Sequence, residues 1–440
     1  MSKFLGLTNK KIIRSAWGKL PRPIQARIRR SLSPDYNRSG YFHVMAPFRT
    51  LPDNGERSRV TMILPSVRRE HITGGPATLV NFMSEIKSRL PQFDLRFLPV
   101  MVPFGADDDQ LPKSLADFEM FTGAEVEAGA DARWTIVSDA ALKSSALPVR
   151  KNEIFVATMW PTFFVAKALQ SAQLEYFGAK HPMPYIIQDY EPLALFPWSD
   201  FYLLARQTYE DGDSTIALVA TASLSEYMDQ AGHAFAARYT FDPGLNATSI
   251  HSGDLRPKTE TFVVYGRPDT PRNCFNLIFE ALLKVTAEHP EIAKRFQFIS
   301  VGEKHPSFKL HNGAKLVSRG FMNPEAYKEL TLRAAAGIFF VVSPHTGYVA
   351  LELARCGALV VSNSFETKHI SKLHPNIREP NVMSVEGVAN AIVAAIEDFW
   401  ADNETGLRAA RADLEARERD KTKYVNFPFL EDMFSNDYRF

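Results

Sequence analysis

Cysteine is nearly absent: Cys274 and Cys356 are the only two in 440 residues, each in an apolar, helix-like setting. That excludes a disulfide framework and a cysteine-built metal site, and it suits a reducing compartment. Neither an HExxH pair nor a Cys/His cluster occurs, so a metal hydrolase has no support. No apolar run approaches the ~20 residues needed to cross a bilayer, and the start of the chain lacks the uncharged centre of a signal peptide. The sequence therefore predicts a cytoplasmic protein that is not exported. Internal repeats and low-complexity stretches are missing too. Acids are absent from Met1 to Pro34, which carries nine basic residues: Lys3, Lys10, Lys11, Arg14, Lys19, Arg22, Arg27, Arg29 and Arg30. Phe4, Leu5, Ile12, Ile13, Trp17, Ile24 and Ile28 are interleaved with them. That mixture predicts a peripheral contact with an anionic membrane surface; a solvated tail is the alternative.

What is present is the composition of a globular protein, 45% hydrophobic and 23% charged, with a net charge of +1. No nucleic-acid partner is expected. The length exceeds what one core sustains and predicts two domains. From Arg59 onward short apolar runs alternate with amphipathic stretches, the pattern of βα units around a parallel sheet. It occurs twice. The first series is Val60 to Leu64, Leu95 to Val102, Trp134 to Val137, Ile154 to Ala157, Tyr185 to Ile187 and Thr215 to Thr221. The second is Thr261 to Tyr265, Phe296 to Val301, Ala314 to Val317, Ile338 to Val342 and Ala358 to Val361, with helical spacing over Leu277 to Glu288 and Tyr327 to Ala336. Phe241 to Thr259 carries Asp242-Pro243-Gly244, Ser252-Gly253 and Pro257 and reads as the connection. The expected organisation is a basic segment over 1–40, a first Rossmann-like domain over 41–245 and a second over 246–400. A helical and aromatic tail over 401–440 would pack back on the domains.

Open α/β sheets bind ligands at the carboxyl ends of their strands, and polar clusters fall there. They are Gly74-Gly75, Gln188-Asp189, Gly266-Arg267, Gly302-Glu303 and Ser343 to Gly347. The segment Ser343-Pro344-His345-Thr346-Gly347-Tyr348-Val349-Ala350-Leu351-Glu352 runs from a strand into a helix. A glycine at a helix entrance lets backbone N–H groups approach a phosphate, and the helix dipole favours the negative charge. Glu352, one turn further in, can accept from a sugar hydroxyl. A plain turn at Gly347 with a surface charge at Glu352 is the other reading. Arg267 and Arg272 follow the first strand of the second series and offer planar forks for phosphate; a structural ion pair is the alternative for either. Ile72-Thr73-Gly74-Gly75-Pro76 precedes a helix as a glycine-rich loop or as a simple tight turn, Pro76 suiting a first helical turn.

The Gly347–Glu352 pattern resembles the donor site of family 4 glycosyltransferases, which have the GT-B fold. Glu352 matches the second of their two glutamates, the one that holds the nucleotide ribose; Pro344 stands where the first would be, followed by His345. Ser343-Pro344-His345, together with Tyr185-Ile186-Ile187-Gln188-Asp189-Tyr190-Glu191-Pro192 and Phe196-Pro197-Trp198, resembles the rhamnosyltransferases of rhamnan and surface-layer glycan synthesis, the WsaF type.

The resemblance implies two Rossmann-like domains facing each other across a cleft, the second binding a nucleotide sugar and the first a glycan or lipid-linked glycan acceptor. Arg267 and Arg272 would hold the donor diphosphate, with Gln188 and Asp189 near the transferred sugar. Gly74 and Gly75 would close over the site, and Gly266, Gly320, His345, Thr346, Gly347, Tyr348, Val349 and Glu352 would line the donor. The implied reaction retains anomeric configuration, needs no metal and no cofactor beyond its donor substrate, and favours dTDP-rhamnose. Alternatives are a hexosyl- or mannosyltransferase using a UDP- or GDP-sugar, or a non-catalytic sugar-nucleotide or glycan-binding subunit. Two Asp-x-Asp pairs, Asp107/Asp109 and Asp211/Asp213, resemble the metal motif of the other main glycosyltransferase fold. Neither follows a strand, so neither is read as a metal site.

Overall fold

A computed structural model of the chain describes residues 40–72, 74–102, 111–194, 199–242, 250–419 and 427–436. The basic segment, Asp107/Asp109 and Phe196-Pro197-Trp198 lie outside these residues. Gly40–Met45 is a short helix in a small unit ending at Ala46, and Pro47–Phe440 is the second compact unit.

The first sheet of the large unit runs, in spatial order, Glu119–Phe121, Trp134–Val137, Asp94–Pro99, Arg59–Leu64 and Glu153–Val156, all parallel. It continues into Met183–Ile187, Thr215–Ala220 and Ala237–Phe241, also parallel. The join is a parallel bridge between Ala157 and Tyr185, where the Ile186 N–H donates to the Ala157 carbonyl at 2.9 Å. Helices Gly75–Arg89, Trp160–Phe177 and Ala222–Gln230 supply crossovers. The second sheet runs Phe308–Lys309, Lys315–Gly320, Gln297–Gly302, Thr259–Gly266, Ala334–Phe339, Leu359–Ser362 and Ile377–Arg378, parallel except at the first, edge strand. Phe275–Glu288 and Val385–Ala401 share one core with this sheet; Tyr348–Arg355 packs into another that includes Val263, Val301 and Phe339.

One segment departs from its local pattern. The spacing over Tyr327 to Ala336 predicts helix throughout, yet the helix ends at Arg333 and Ala334–Phe339 is a buried strand. Alanine is the best helix former, but propensity is a small effect that burial overrides here. The run must be small: a Cβ on Gly337 would stand 2.8 Å from the Val263 carbonyl oxygen and 3.2 Å from Leu353 Cδ1, so bulk there would push the helix Tyr348–Arg355 off the sheet. Ala237–Phe241, ending where a connection is expected to begin, adds a further strand to the first sheet. Beyond the helix Thr405–Arg419, Phe427, Phe429, Leu430, Met433 and Phe434 lie in the first sheet's core, where Phe427 meets Phe82 edge-on at 5.0 Å.

The amino ends of the first sheet's strands are tied by charge. Glu153 is fully buried and accepts from Arg59 at 2.7 Å, Arg96 at 2.5 Å and the Thr61 hydroxyl at 2.5 Å. Arg150 joins Asp94 at 2.8 Å and Asp53 at 3.0 Å. Burial alone would push the Glu153 carboxyl up, but the Arg59 and Arg96 charges outweigh it and hold the pKa at about 2 against an ordinary 4.5. A depressed pKa contributes stability that is present above 4.5 and lost as pH falls through about 2. Glu153→Gln leaves buried guanidinium charge uncompensated and is expected to destabilise the fold by about 3–5 kcal/mol in urea unfolding at neutral pH. The wild type should lose part of that advantage on acidification across the same window, and a mutant as stable as wild type would show the network to be dispensable.

Candidate donor-binding cleft

The expected site residues leave the carboxyl edges of the two sheets. Gly74 caps the helix Gly75–Arg89 with φ of 55°. A Cβ on Gly75 would stand 3.0 Å from Gln188 Oε1, so the glycine loop and Gln188 are neighbours. Asp189 follows the strand Met183–Ile187, and its carboxylate accepts from the Tyr190 N–H at 2.8 Å. The same carboxylate accepts from the Arg272 guanidinium and the Ser343 hydroxyl, both belonging to the second sheet's loops. Two further bonds join the halves: Thr367 Oγ1 donates to the Ser223 carbonyl at 2.6 Å, and the Tyr348 hydroxyl to Asp242 at 3.4 Å.

On the second sheet, Gly266 ends its strand in a position no larger residue could take, since a Cβ would stand 1.9 Å from Ser300 Oγ. Arg267 comes next, its Nε 3.3 Å from Glu303 Oε1. Glu303 also accepts from the Asp269 N–H at 2.8 Å and the Thr270 hydroxyl at 2.5 Å, which fixes the turn carrying Arg267. Both arginines therefore sit in ion pairs, Arg267 within the second sheet's loops and Arg272 across to the first. The Val342 N–H donates to the Arg272 carbonyl at 2.8 Å and anchors that turn to the end of the next strand. Gly320 closes the strand Lys315–Gly320 with φ of 64°, beside Lys304 and in register with Val301.

The helix Tyr348–Arg355 starts at Gly347, whose φ is 75° and which offers no side-chain cap. Its first N–H groups have no intrahelical acceptor and point toward the helix entrance, where an anion can be met. The Gly347 N–H itself donates to His345 Nδ1 at 3.1 Å, so the neutral imidazole carries its proton on Nε2. Burial pushes the His345 pKa down, with Asp189 opposing and Arg272 reinforcing the shift. The His345 N–H is held in turn by Ser343 Oγ at 3.0 Å, and Thr346 is buried in the same turn. One turn into the helix, Glu352 accepts from the Tyr327 hydroxyl at 3.3 Å; burial raises its pKa, and the Tyr327 bond opposes that. Val349 lies on the same turn, partly buried against the sheet.

Tyr327 and Lys368 escape a reading of motifs, and Glu303 and Glu191, which stand in the segments named above, gain roles that no motif assigns them. Glu303 and Tyr327 orient Arg267 and Glu352. Glu191 is buried, accepts from the Trp160 N–H at 2.8 Å, and has its pKa pushed to about 8 by burial and by Asp189. Lys368, 1% exposed, follows the strand Leu359–Ser362 and donates to the Val341 carbonyl at 2.9 Å. A cation just past a strand end was the one signal for it. Asp211 of the second Asp-x-Asp pair is bound to Lys167 at 2.6 Å, and Asp213 sits in a single 3-10 turn before the strand Thr215–Ala220. Gly347→Ala would place a Cβ 2.5 Å from Phe339 Cε1 in a positive-φ position. It is expected to lower stability by about 1–3 kcal/mol in denaturant unfolding, and a neutral outcome would mean that the entrance is not held as described.

Residues 59–222 match the family description "WsaF, N-terminal domain" and residues 260–393 match "WsaF, C-terminal domain", between them more than half the chain. The O-antigen biosynthesis protein RfbC of Myxococcus xanthus is 26% identical over 238 residues, 53% of this chain but 17% of that protein's length. Among solved structures, HepE of Anabaena in complex with UDP superposes with a TM-score of 0.55 at 16% identity, over 86% of this chain and 100% of that one. Sucrose-phosphate synthase of Thermosynechococcus elongatus gives 0.54 at 14% identity, again over 86% and 100%. At such identities the likeness is one of fold: two Rossmann-like domains facing each other across a cleft. With both halves matched in order, the chain belongs to the WsaF family of GT-B glycosyltransferases.

Proposed function

We propose that the chain is a retaining rhamnosyltransferase that moves rhamnose from dTDP-rhamnose onto a growing cell-surface polysaccharide, the second sheet's half holding the donor and the first the acceptor. The observation that carries this reading is the convergence of Gly266-Arg267, Arg272 and the uncapped helix entrance Gly347–Val349 at one sheet edge, with Glu352 one turn behind. In this reading Arg267, Arg272 and the N–H groups of Tyr348 and Val349 receive the diphosphate as it leaves, while positive charge builds at the anomeric carbon. Glu352, oriented by Tyr327, accepts from the ribose hydroxyls, and Gln188 with Gly74-Gly75 closes on the sugar side. His345 presents Nε2–H, a neutral donor suited to a sugar or phosphate oxygen. The charge of the phosphates is met by guanidinium and helix dipole, so no divalent ion is needed.

The test is a donor panel of dTDP-, UDP- and GDP-sugars with product detection. Transfer from dTDP-rhamnose that survives EDTA is expected. Transfer from a UDP- or GDP-hexose alone, or saturable binding without transfer, would replace this reading with the hexosyltransferase or the binding subunit. Arg267→Ala should cost about 1.5–3 kcal/mol of nucleotide diphosphate binding. Glu352→Gln should raise the donor KM or lower turnover about ten-fold, equivalent to ~1.4 kcal/mol. Asp109→Asn and Asp213→Asn should change neither, and loss of activity in these two with Glu352→Gln unaffected would contradict the donor site.

We also propose that the basic start of the chain holds the enzyme on anionic membranes, where a lipid-linked acceptor would be presented. Its nine cations and interleaved apolar residues support that. Deleting residues 1–34 should abolish co-sedimentation with phosphatidylglycerol vesicles at low salt and leave nucleotide binding intact; unchanged co-sedimentation would remove the segment from this role.

A further inference from the structure

Asp189 comes from the first sheet, yet it is bound by the second. Its carboxylate takes a fork nitrogen of Arg272 and the Ser343 hydroxyl, two groups at the edge expected to receive an anion from the donor. Lys368 is held nearby, at the carbonyl of Val341, whose neighbour Val342 donates its N–H to the Arg272 carbonyl. Its side chain is 1% exposed, and its ammonium, with three protons to donate, has the Val341 carbonyl at 2.9 Å as its one hydrogen-bond acceptor among the described residues. Asn363 clamps the same Val341, accepting from its N–H at 2.8 Å and donating to its carbonyl at 3.1 Å, so the loop carrying Lys368 is fixed to the strand end. The carboxylate acting on Lys368 from the opposite half is Asp189, with Glu379 on its own side. Arg272 Nε is buried and has no acceptor among the described residues. A buried ammonium beside a half-buried guanidinium, both with donors to spare, is costly unless an anion completes the set. A carboxylate and a phosphate are interchangeable partners for such a set, because each accepts from a guanidinium fork, a hydroxyl and an ammonium.

We propose that Asp189 occupies, in the ligand-free protein, the position of a donor phosphate, and that Arg272, Ser343 and Lys368 form a cradle that exchanges this carboxylate for the diphosphate when the nucleotide sugar binds. The proposal rests on the donor-site reading above and adds to it a third cation, Lys368, and an internal competitor, Asp189. Because the competitor belongs to the other half, displacing it breaks one of the bonds that hold the halves together. Donor binding thereby changes the constraint on the acceptor side. The fraction of molecules with the cradle open scales the apparent affinity, so weakening the competitor must tighten binding.

The experiment is isothermal titration of the full chain with dTDP, UDP and GDP, using wild type, Asp189→Asn, Lys368→Met and Lys368→Gln. Asp189→Asn keeps an oxygen for the Tyr190 N–H and the Ser343 hydroxyl but loses the charge. It should bind the preferred nucleotide about ten-fold more tightly, a gain that a merely structural role would not produce. Lys368→Met should bind about ten-fold more weakly; Lys368→Gln, which can still reach the Val341 carbonyl, controls for misfolding and should also weaken binding. Equal or weaker binding by Asp189→Asn, or wild-type affinity in a folded Lys368 variant, overturns the proposal while leaving the donor site standing. Absence of nucleotide binding by the wild type overturns the donor-site reading and this proposal together.

Discussion

Parallel pairing is the constraint on which the rest depends. A parallel neighbour is reached only by a crossover, so every such strand leaves its sheet at the same edge. Gln188, Gly266, Gly302, Gly320 and the turns before His345 and Lys368 all emerge at carboxyl ends because their strands have no alternative. Backbone groups at that edge have no ladder partner, so the edge stays polar and collects side chains able to hold an anion. The opposite edge of the first sheet has the same excess of ends and is sealed differently. There Glu153 accepts from Arg59, Arg96 and the Arg150 N–H within the protein.

Small residues decide how closely the elements at the cleft approach. Gly337 lets the helix Tyr348–Arg355 lie on the sheet, Gly347 lets that helix begin beside Phe339, and Gly266 leaves room for Ser300 and His305. The closeness removes water from ionisable groups, and their pKa values move accordingly. Glu352 and Glu191 are pushed up by burial, while His345 and Lys368 are pushed down. A site built this way answers to charge brought in by a ligand more strongly than an exposed one, because interactions are less screened where water is excluded.

The alternation of βα units was legible in the sequence because buried parallel strands are short, uniformly apolar runs. Most strand runs read that way correspond to strands of the two sheets. Ala334–Phe339 was legible only in part, because an alanine run favours helix locally and only packing against Leu353 makes it a strand. Glycines and arginines at strand ends could be found because their neighbours in sequence share their function. Tyr327, the pairing made by the strand-end Glu303, and Lys368 could not be found in that way. They act through partners 25, 36 and 27 residues distant, Glu352, Arg267 and Val341, and no local spacing encodes such a contact. The ion pairing of Asp189 with Arg272, 83 residues apart, belongs to the same class.

The central claim is that a nucleotide diphosphate seats at the carboxyl edge of the second sheet, against the entrance of the helix Tyr348–Arg355. Amide hydrogen exchange with and without saturating dTDP measures this directly, because anion-bound N–H groups exchange more slowly than open ones. Protection is expected to concentrate in residues 265–273 and 343–353. Protection confined to the first sheet's loops, with both of these segments unchanged, would contradict it.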